Sequence, residues 1–220
     1  MNREKVVRAI AEQGILPLYF HPDEDISIEI LRTLYESGVR VVEYTNRGKQ
    51  ALKNLRALAK KKYDLFPDLI LGMGTVLDTR AGGKAIQNGA DFLVSPGYSS
   101  DLSKFADDER ILWIPGCITP TELMMAQTDG LNLVKIFPAN TVGAGFVRSA
   151  RDVFPDLLFM PTGGIGYEDM ESWFKAGVSA IGMGGSLISK QILEQNDWAL
   201  LGDNTRALLN KIAAIRSSII

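Results

Sequence analysis

One cysteine, Cys117, and one histidine, His21, are the only thiol and imidazole in 220 residues. A lone thiol closes no internal disulfide, so a reducing, cytoplasmic compartment is expected. A lone imidazole excludes a metal centre built from several histidines of one chain. The count leaves an all-carboxylate Mg²⁺ site open. No apolar run approaches the ~20 residues a membrane-spanning helix needs, and the opening MNREKVVRAI lacks the apolar stretch of a signal peptide. Membrane association is therefore not expected. Neither sign of charge is in excess: 24 Lys and Arg face 26 Asp and Glu, for a net −2. That balance lacks the basic surface a phosphate backbone calls for, which argues against nucleic acid as the main partner. Also missing are a linker, a low-complexity tract and any shift of composition, so residues 1–220 are taken as one domain.

What is present is a rhythm. Strand-length apolar runs, most of them closed by Gly or Pro, recur at 14–20 (GILPLYF), 39–45 (VRVVEYT), 68–75 (DLILGMGT) and 91–97 (DFLVSPG). They continue at 111–117 (ILWIPGC), 133–139 (LVKIFPA), 157–164 (LLFMPTGG) and 178–186 (VSAIGMGGS). Amphipathic stretches separate them. DISIEILRTLYESG sets Ile26, Ile30, Leu31 and Leu34 on one face and ends at Gly38; KQALKNLRALAKK does the same with Leu52, Leu55, Leu58 and Ala59. TPTELMMAQTDG opens with Thr119, Pro120 and Glu122 in the pattern of a capping box, and its Met124 and Met125 are assigned to the core face. Apolar strands alternating with helices imply parallel strands covered on both faces. Eight such units, about 27 residues each, predict an α/β fold of the closed (β/α)₈ TIM-barrel type. An extra N-terminal helix, NREKVVRAIAEQ, would plug one end, and residues 203–217 would form a closing helix.

In such a barrel chemistry sits at the C-terminal ends of the strands, so polar residues there carry the functional signal. Lys135 interrupts LNLVKIFPAN, where an ammonium is costly to desolvate. It is either a strand-end lysine that snorkels or pairs, or an amine placed to form a Schiff base with a carbonyl. Glu43, Thr45 and Arg47 share one face above Val41, as an internal ion pair or as catalytic groups. Thr75 shares a face with Leu71 and Met73, leaving Gly72 and Gly74 to let a helix pack closely; alternatively Thr75 caps the next helix. Pro96 either walls a pocket or ends a strand. Paired glycines close the last two strands, Gly163–Gly164 in PTGGI and Gly184–Gly185 in GMGGS, with Ser186 following. That is where a barrel builds its phosphate site. Cys117 is expected to be a small buried hydrophobe and His21 a loop residue.

The ordered series RVVEYTNR, GMGTV, VSPG, PGCITPTE, VKIFPA, PTGGI and GMGGS resembles the KDPG/KHG aldolase family, from about residue 5 to 200. The resemblance implies a class I, Schiff-base aldolase on a (β/α)₈ barrel, usually a homotrimer, acting on a small keto acid without metal or cofactor. It matches Lys135 to the Schiff-base lysine, Glu43 to the general acid/base, and Arg47 and Thr75 to the carboxylate site. Pro96 and Phe137 match pocket walls, and Gly163, Gly164, Gly185 and Ser186 the phosphate cradle. Asn46, the loop ANTVGAGFV and Leu187 depart from the commoner pattern where the substrate tail is bordered. The implied reaction cleaves 2-keto-3-deoxy-6-phosphogluconate to pyruvate and glyceraldehyde 3-phosphate, or 4-hydroxy-2-oxoglutarate to pyruvate and glyoxylate. The galactonate-derived epimer is an alternative substrate. A phospho-sugar isomerase or epimerase using Glu43 as base, and a non-catalytic sugar-phosphate sensor, are the competing readings of the same residues.

Overall fold

The structure, a computed structural model, describes residues 2–219. α1 (Arg3–Gln13) leads into β1 (Ile15–Tyr19), α2 (Glu24–Glu36), β2 (Val41–Thr45), α3 (Ala51–Leu65), β3 (Ile70–Gly74) and α4 (Thr79–Gln87). Then come β4 (Phe92–Val94), α5 (Ser100–Asp108), β5 (Leu112–Ile114), β6 (Gly116–Cys117), α6 (Pro120–Thr128) and β7 (Leu133–Ile136). α7 (Ala139–Val153), β8 (Leu158–Pro161), α8 (Met170–Lys175), β9 (Ile181–Met183), α9 (Lys190–Gln195) and α10 (Trp198–Ile219) complete the order. Several helices start where a side chain takes an orphan N–H: Asp23, Asp78, Ser99 and Ser189 each accept one, and Thr119 with Glu122 closes the full capping box. Among the described residues no helix is long and apolar enough to cross a membrane.

All strand pairs are parallel, and they form two sheets, in the order β5-β4-β3-β2-β1-β9 and β6-β7-β8. The run 111–117, expected as one strand, is broken at Pro115, which has no N–H to give a ladder. Its carbonyl still accepts from Lys135 N at 2.8 Å. At the other side a single bridge, Thr162 with Gly182, follows β8 and joins β9. The expected eight strands are nine among the described residues, because the fifth is split, and the strand ladder is continuous over two pieces rather than over one ring.

Each strand sends alternate residues into two separate cores, which explains why the runs look continuously apolar. Leu16, Val41, Ile70, Phe92, Leu112 and Met160 join one cluster, which Val6 and Ile10 of α1 seal from below. Ile15, Val42, Leu71, Leu93, Trp113 and Phe159 join the cluster under the helices. Two expectations fail here. Leu71 and Met73, not the glycines, face the helices; a Cβ on Gly72 would stand 2.3 Å from the Phe92 ring, inside the sheet. Met124 and Met125 are not core: the buried face of α6 is Leu123 and Ala126, and the two methionines are 59% and 41% exposed. A helix with one buried residue per turn has no room for both neighbours.

Candidate active site

Beyond the C-terminal ends of the strands lies a cavity of about 520 Å³. It brings together Arg47 after β2, Thr75 after β3, Pro96 after β4, Lys135 on β7 and Phe137 just past it. The opposite wall is backbone: Gly163 and Gly164 after β8, then Gly184, Gly185 and Ser186 after β9. Every expected site residue except Glu43 lines this cavity.

Lys135 stands between Gly116 of β6 and Met160 of β8 and is 6% exposed. It does not snorkel. Its Nζ lies 4.9 Å from the centroid of the Phe137 ring, a cation–π distance when the amine is charged. Among the described residues no ion pair joins Lys135, Glu43 or Arg47 to any partner. The alternative of a structural Glu43–Arg47 pair therefore drops out.

Glu43 sits below the open cavity, 1% exposed, and among the described residues its Oε2 has no hydrogen-bond partner. Burial pushes its carboxyl above the ordinary carboxylate value, and the charges of Lys135 and Arg47 pull part of the way back. A buried carboxyl that holds its proton more tightly, with two basic side chains near it, has the chemistry of a proton-transfer group. Thr45, on the same face, is spent on structure: its hydroxyl donates to the Tyr19 carbonyl at 3.3 Å.

Thr75 reaches the cavity by a backbone reversal. Strand parity alone would put it on the helix side with Leu71 and Met73, but its φ is +58°. A β-branched residue in the left-handed region is uncommon and strained. The helix cap falls to Asp78, whose Oδ1 accepts from Ala81 N at 2.7 Å. Gly116 has no side chain because the Pro96 carbonyl lies 2.1 Å from where its Cβ would be, so the Pro96 loop rests directly on β6.

Gly163 and Gly164 take φ of +101° and +71°, and a Cβ on Gly164 would stand 2.7 Å from Asn140 Cβ. Gly184 accepts from both Leu187 N at 3.0 Å and Ile188 N at 2.9 Å, which makes a helical turn with Gly185 and Ser186 at its start. Among the described residues the N–H groups of Gly164, Gly185 and Ser186 donate to no other backbone group. This wall offers three amides and a hydroxyl, and the lining residues of the cavity include no carboxylate, so its chemistry suits an anion.

The sequence reading missed Thr162 and Leu18, which also line the cavity. Thr162 is 4% exposed and its Oγ1 has no partner. Counting in twos from Met160, which faces the inner cluster, would have found it. Gly182 leaves it room, since a Cβ there would lie 2.1 Å from that oxygen. Cys117 and His21 fall where expected, the thiol buried and the imidazole in the β1–α2 loop, accepting from Asp23 N at 3.2 Å.

The chain has relatives. The family model described as KDPG and KHG aldolase matches residues 6–203. The 2-dehydro-3-deoxy-phosphogluconate aldolase of Pseudomonas aeruginosa is 30% identical over 207 residues, which is 93% of this chain and 92% of that protein. The KHG/KDPG aldolase of Escherichia coli K12 is 33% identical over 186 residues, 84% of this chain and 85% of its own. The solved KDPG aldolase of Legionella pneumophila, with pyruvate captured at low pH as a covalent carbinolamine, superposes with a TM-score of 0.85 at 27% identity. That match covers 92% of this chain and 97% of that one. A buried lysine among parallel strand ends, and a family match running over most of the sequence, lead to one conclusion: the chain is an aldolase and belongs to the KDPG and KHG aldolase family.

Proposed function

We propose that this aldolase cleaves 2-keto-3-deoxy-6-phosphogluconate to pyruvate and glyceraldehyde 3-phosphate, and 4-hydroxy-2-oxoglutarate to pyruvate and glyoxylate, through a Schiff base on Lys135. One observation carries the reading. The Lys135 amine is buried at the wall of the cavity and, among the described residues, within ion-pair distance of no carboxylate, while Glu43 is buried close enough to feel its charge.

In its unprotonated form the amine attacks the C2 ketone, and the carbinolamine loses water to give an iminium. Glu43, directly or through a water, takes the proton of the C4 hydroxyl. The C3–C4 pair moves onto the iminium, leaving an enamine and releasing an aldehyde. Glu43 then returns its proton to the enamine carbon, and water frees pyruvate and the amine. Arg47 clamps the substrate carboxylate and Thr75 adds a hydroxyl to it. Pro96 and Phe137 wall the keto-acid end, and Gly163, Gly164, Gly185 and Ser186 cradle the distal anion.

The architecture supporting this site is proposed to be a closed (β/α)₈ barrel: β5 continues into β6, and the Thr162–Gly182 bridge links the remaining gap. A homotrimer is proposed from the family resemblance, and the exposed Leu77, Met124 and Met125 offer apolar surface for one. Cytoplasmic residence is proposed because the one thiol is buried and unpaired.

The test is covalent trapping. Pyruvate with borohydride adds an irreversible pyruvate-derived mass to Lys135, and Lys135→Ala loses both the adduct and turnover. A folded wild-type sample that takes up no adduct sinks the Schiff-base reading.

A further inference from the structure

We infer that Gly74 is a positioning residue for Glu43: the missing side chain at position 74 is what lets the carboxylate lean up toward Lys135. This rests on the acid/base role proposed above. In the ladder Glu43 is opposite Gly72, while Gly74 is opposite Thr45, two residues nearer the cavity. Yet the carboxylate lies over Gly74, not Gly72. A Cβ on Gly74 would stand 1.7 Å from Glu43 Oε1, 2.4 Å from Cδ and 2.8 Å from Cγ. The side chain thus inclines along the strand direction into a space that only glycine leaves empty.

Gly74 is held by its carbonyl, which accepts from Asn46 N at 2.8 Å, and by the strand ladder on β2. Glu43 has no hydrogen bond to Oε2 that would hold the carboxylate where it is, so contact with the bare backbone of β3 sets its height. Gly72 does a different job, since a Cβ there meets the Phe92 ring at 2.3 Å. The glycine pair of GMGTV is therefore divided: one member makes room for the core, the other for the carboxylate.

The experiment is a double-mutant cycle read in both stability and turnover. Gly74→Ala is expected to lower kcat about 10²-fold, as a misplaced catalytic group does, with a smaller change in KM for the keto acid. Its denaturation midpoint is expected to fall, and Glu43→Ala in the same chain is expected to restore that midpoint. Gly72→Ala, destabilised through Phe92, should gain nothing from Glu43→Ala. Glu43→Asp shortens the side chain by one methylene and removes the closest contact, that of Oε1 at 1.7 Å, so Gly74→Ala with Glu43→Asp is expected to turn over about tenfold faster than Gly74→Ala alone.

Turnover within twofold of wild type in Gly74→Ala overturns the inference. So does a midpoint loss that is the same with and without Glu43. If Gly74→Ala fails to fold, recovery of folding in the Glu43→Ala background supports the collision, and no recovery overturns it. Full activity in Glu43→Gln would instead overturn the acid/base reading, while the stability cycle would still report on the contact.

Discussion

Trp113 donates its indole N–H to Ser95 Oγ at 2.7 Å, and the same hydroxyl donates to the Val76 carbonyl at 2.6 Å. One buried oxygen thereby ties the end of β4 to β5 and to the residue after Thr75. Thr75 and Pro96, two walls of the cavity, are each one residue from this relay. Ser95→Ala leaves an indole donor and a carbonyl unpaired in the core, at a cost of roughly 1–3 kcal/mol. Urea denaturation should show the lower midpoint, together with a raised KM for the keto acid. An unchanged midpoint would show that the relay holds nothing.

Thr75 trades conformational strain for the direction of its hydroxyl. Thr75→Gly relieves a strain of about 1–3 kcal/mol against about 0.4–1 kcal/mol of added chain entropy. The variant should equal or exceed wild type in thermal stability. Thr75→Val keeps the strain and removes only the hydroxyl. Both should weaken keto-acid binding, measured as KM, but only the glycine variant should gain stability. A destabilised Thr75→Gly is the contrary result.

Glu43 holds its proton more tightly in the folded chain than in the unfolded one, because burial outweighs Lys135 and Arg47. Between the two values the folded state binds more protons, so stability falls as pH rises through that window. Above the raised value the ionised carboxylate weighs fully against the fold. Glu43→Gln should therefore be more stable than wild type at about pH 8, with the gain vanishing as pH falls toward about 4. Turnover should drop on the order of 10²–10⁴-fold in the same variant. A stability gain that grows on acidification contradicts the sign.

Ser186 is exposed at the glycine wall of the cavity, and in the proposed binding mode its hydroxyl meets the distal end of the substrate. Ser186→Ala should raise KM for the phosphorylated keto acid about 10- to 100-fold, the worth of one hydrogen bond to a charged group. Cleavage of 4-hydroxy-2-oxoglutarate should be affected less. Equal losses for both substrates would place the phosphate elsewhere.

Cys117 is buried, and burial pushes its thiol up to about 12. Iodoacetamide at neutral pH should leave it unmodified in the native chain and alkylate it in denaturant, as mass spectrometry can read. Rapid native labelling would put the thiol at the surface.

Much of this molecule was legible as pattern. Apolar runs too short for helices, each followed by an amphipathic stretch, specify parallel strands covered on both sides, and Thr119 with Glu122 announces a helix start. Lys135 and Glu43 were visible because a charge inside such a run is expensive wherever it points. Position along the strand was enough for them.

Direction was not. Gly72 and Gly74 were assigned to the helix side and face inward, Met124 and Met125 were assigned to the core and are exposed, and Thr162 was passed over. A strand buried on both faces carries no polar alternation to set its parity, and a glycine has no side chain to mark either side. Thr75 breaks parity altogether through a φ of +58°, which its residue type disfavours.

The alternation of elements and the identity of the two buried charges are thus properties of the linear chain, since both follow from the cost of desolvation along it. Packing across strands settles which glycines are empty for the sake of a neighbour, and that Lys135 and Arg47 line one cavity while Glu43 lies buried within reach of their charges. Those are relations between strands, set by cross-strand register, and no single segment contains them.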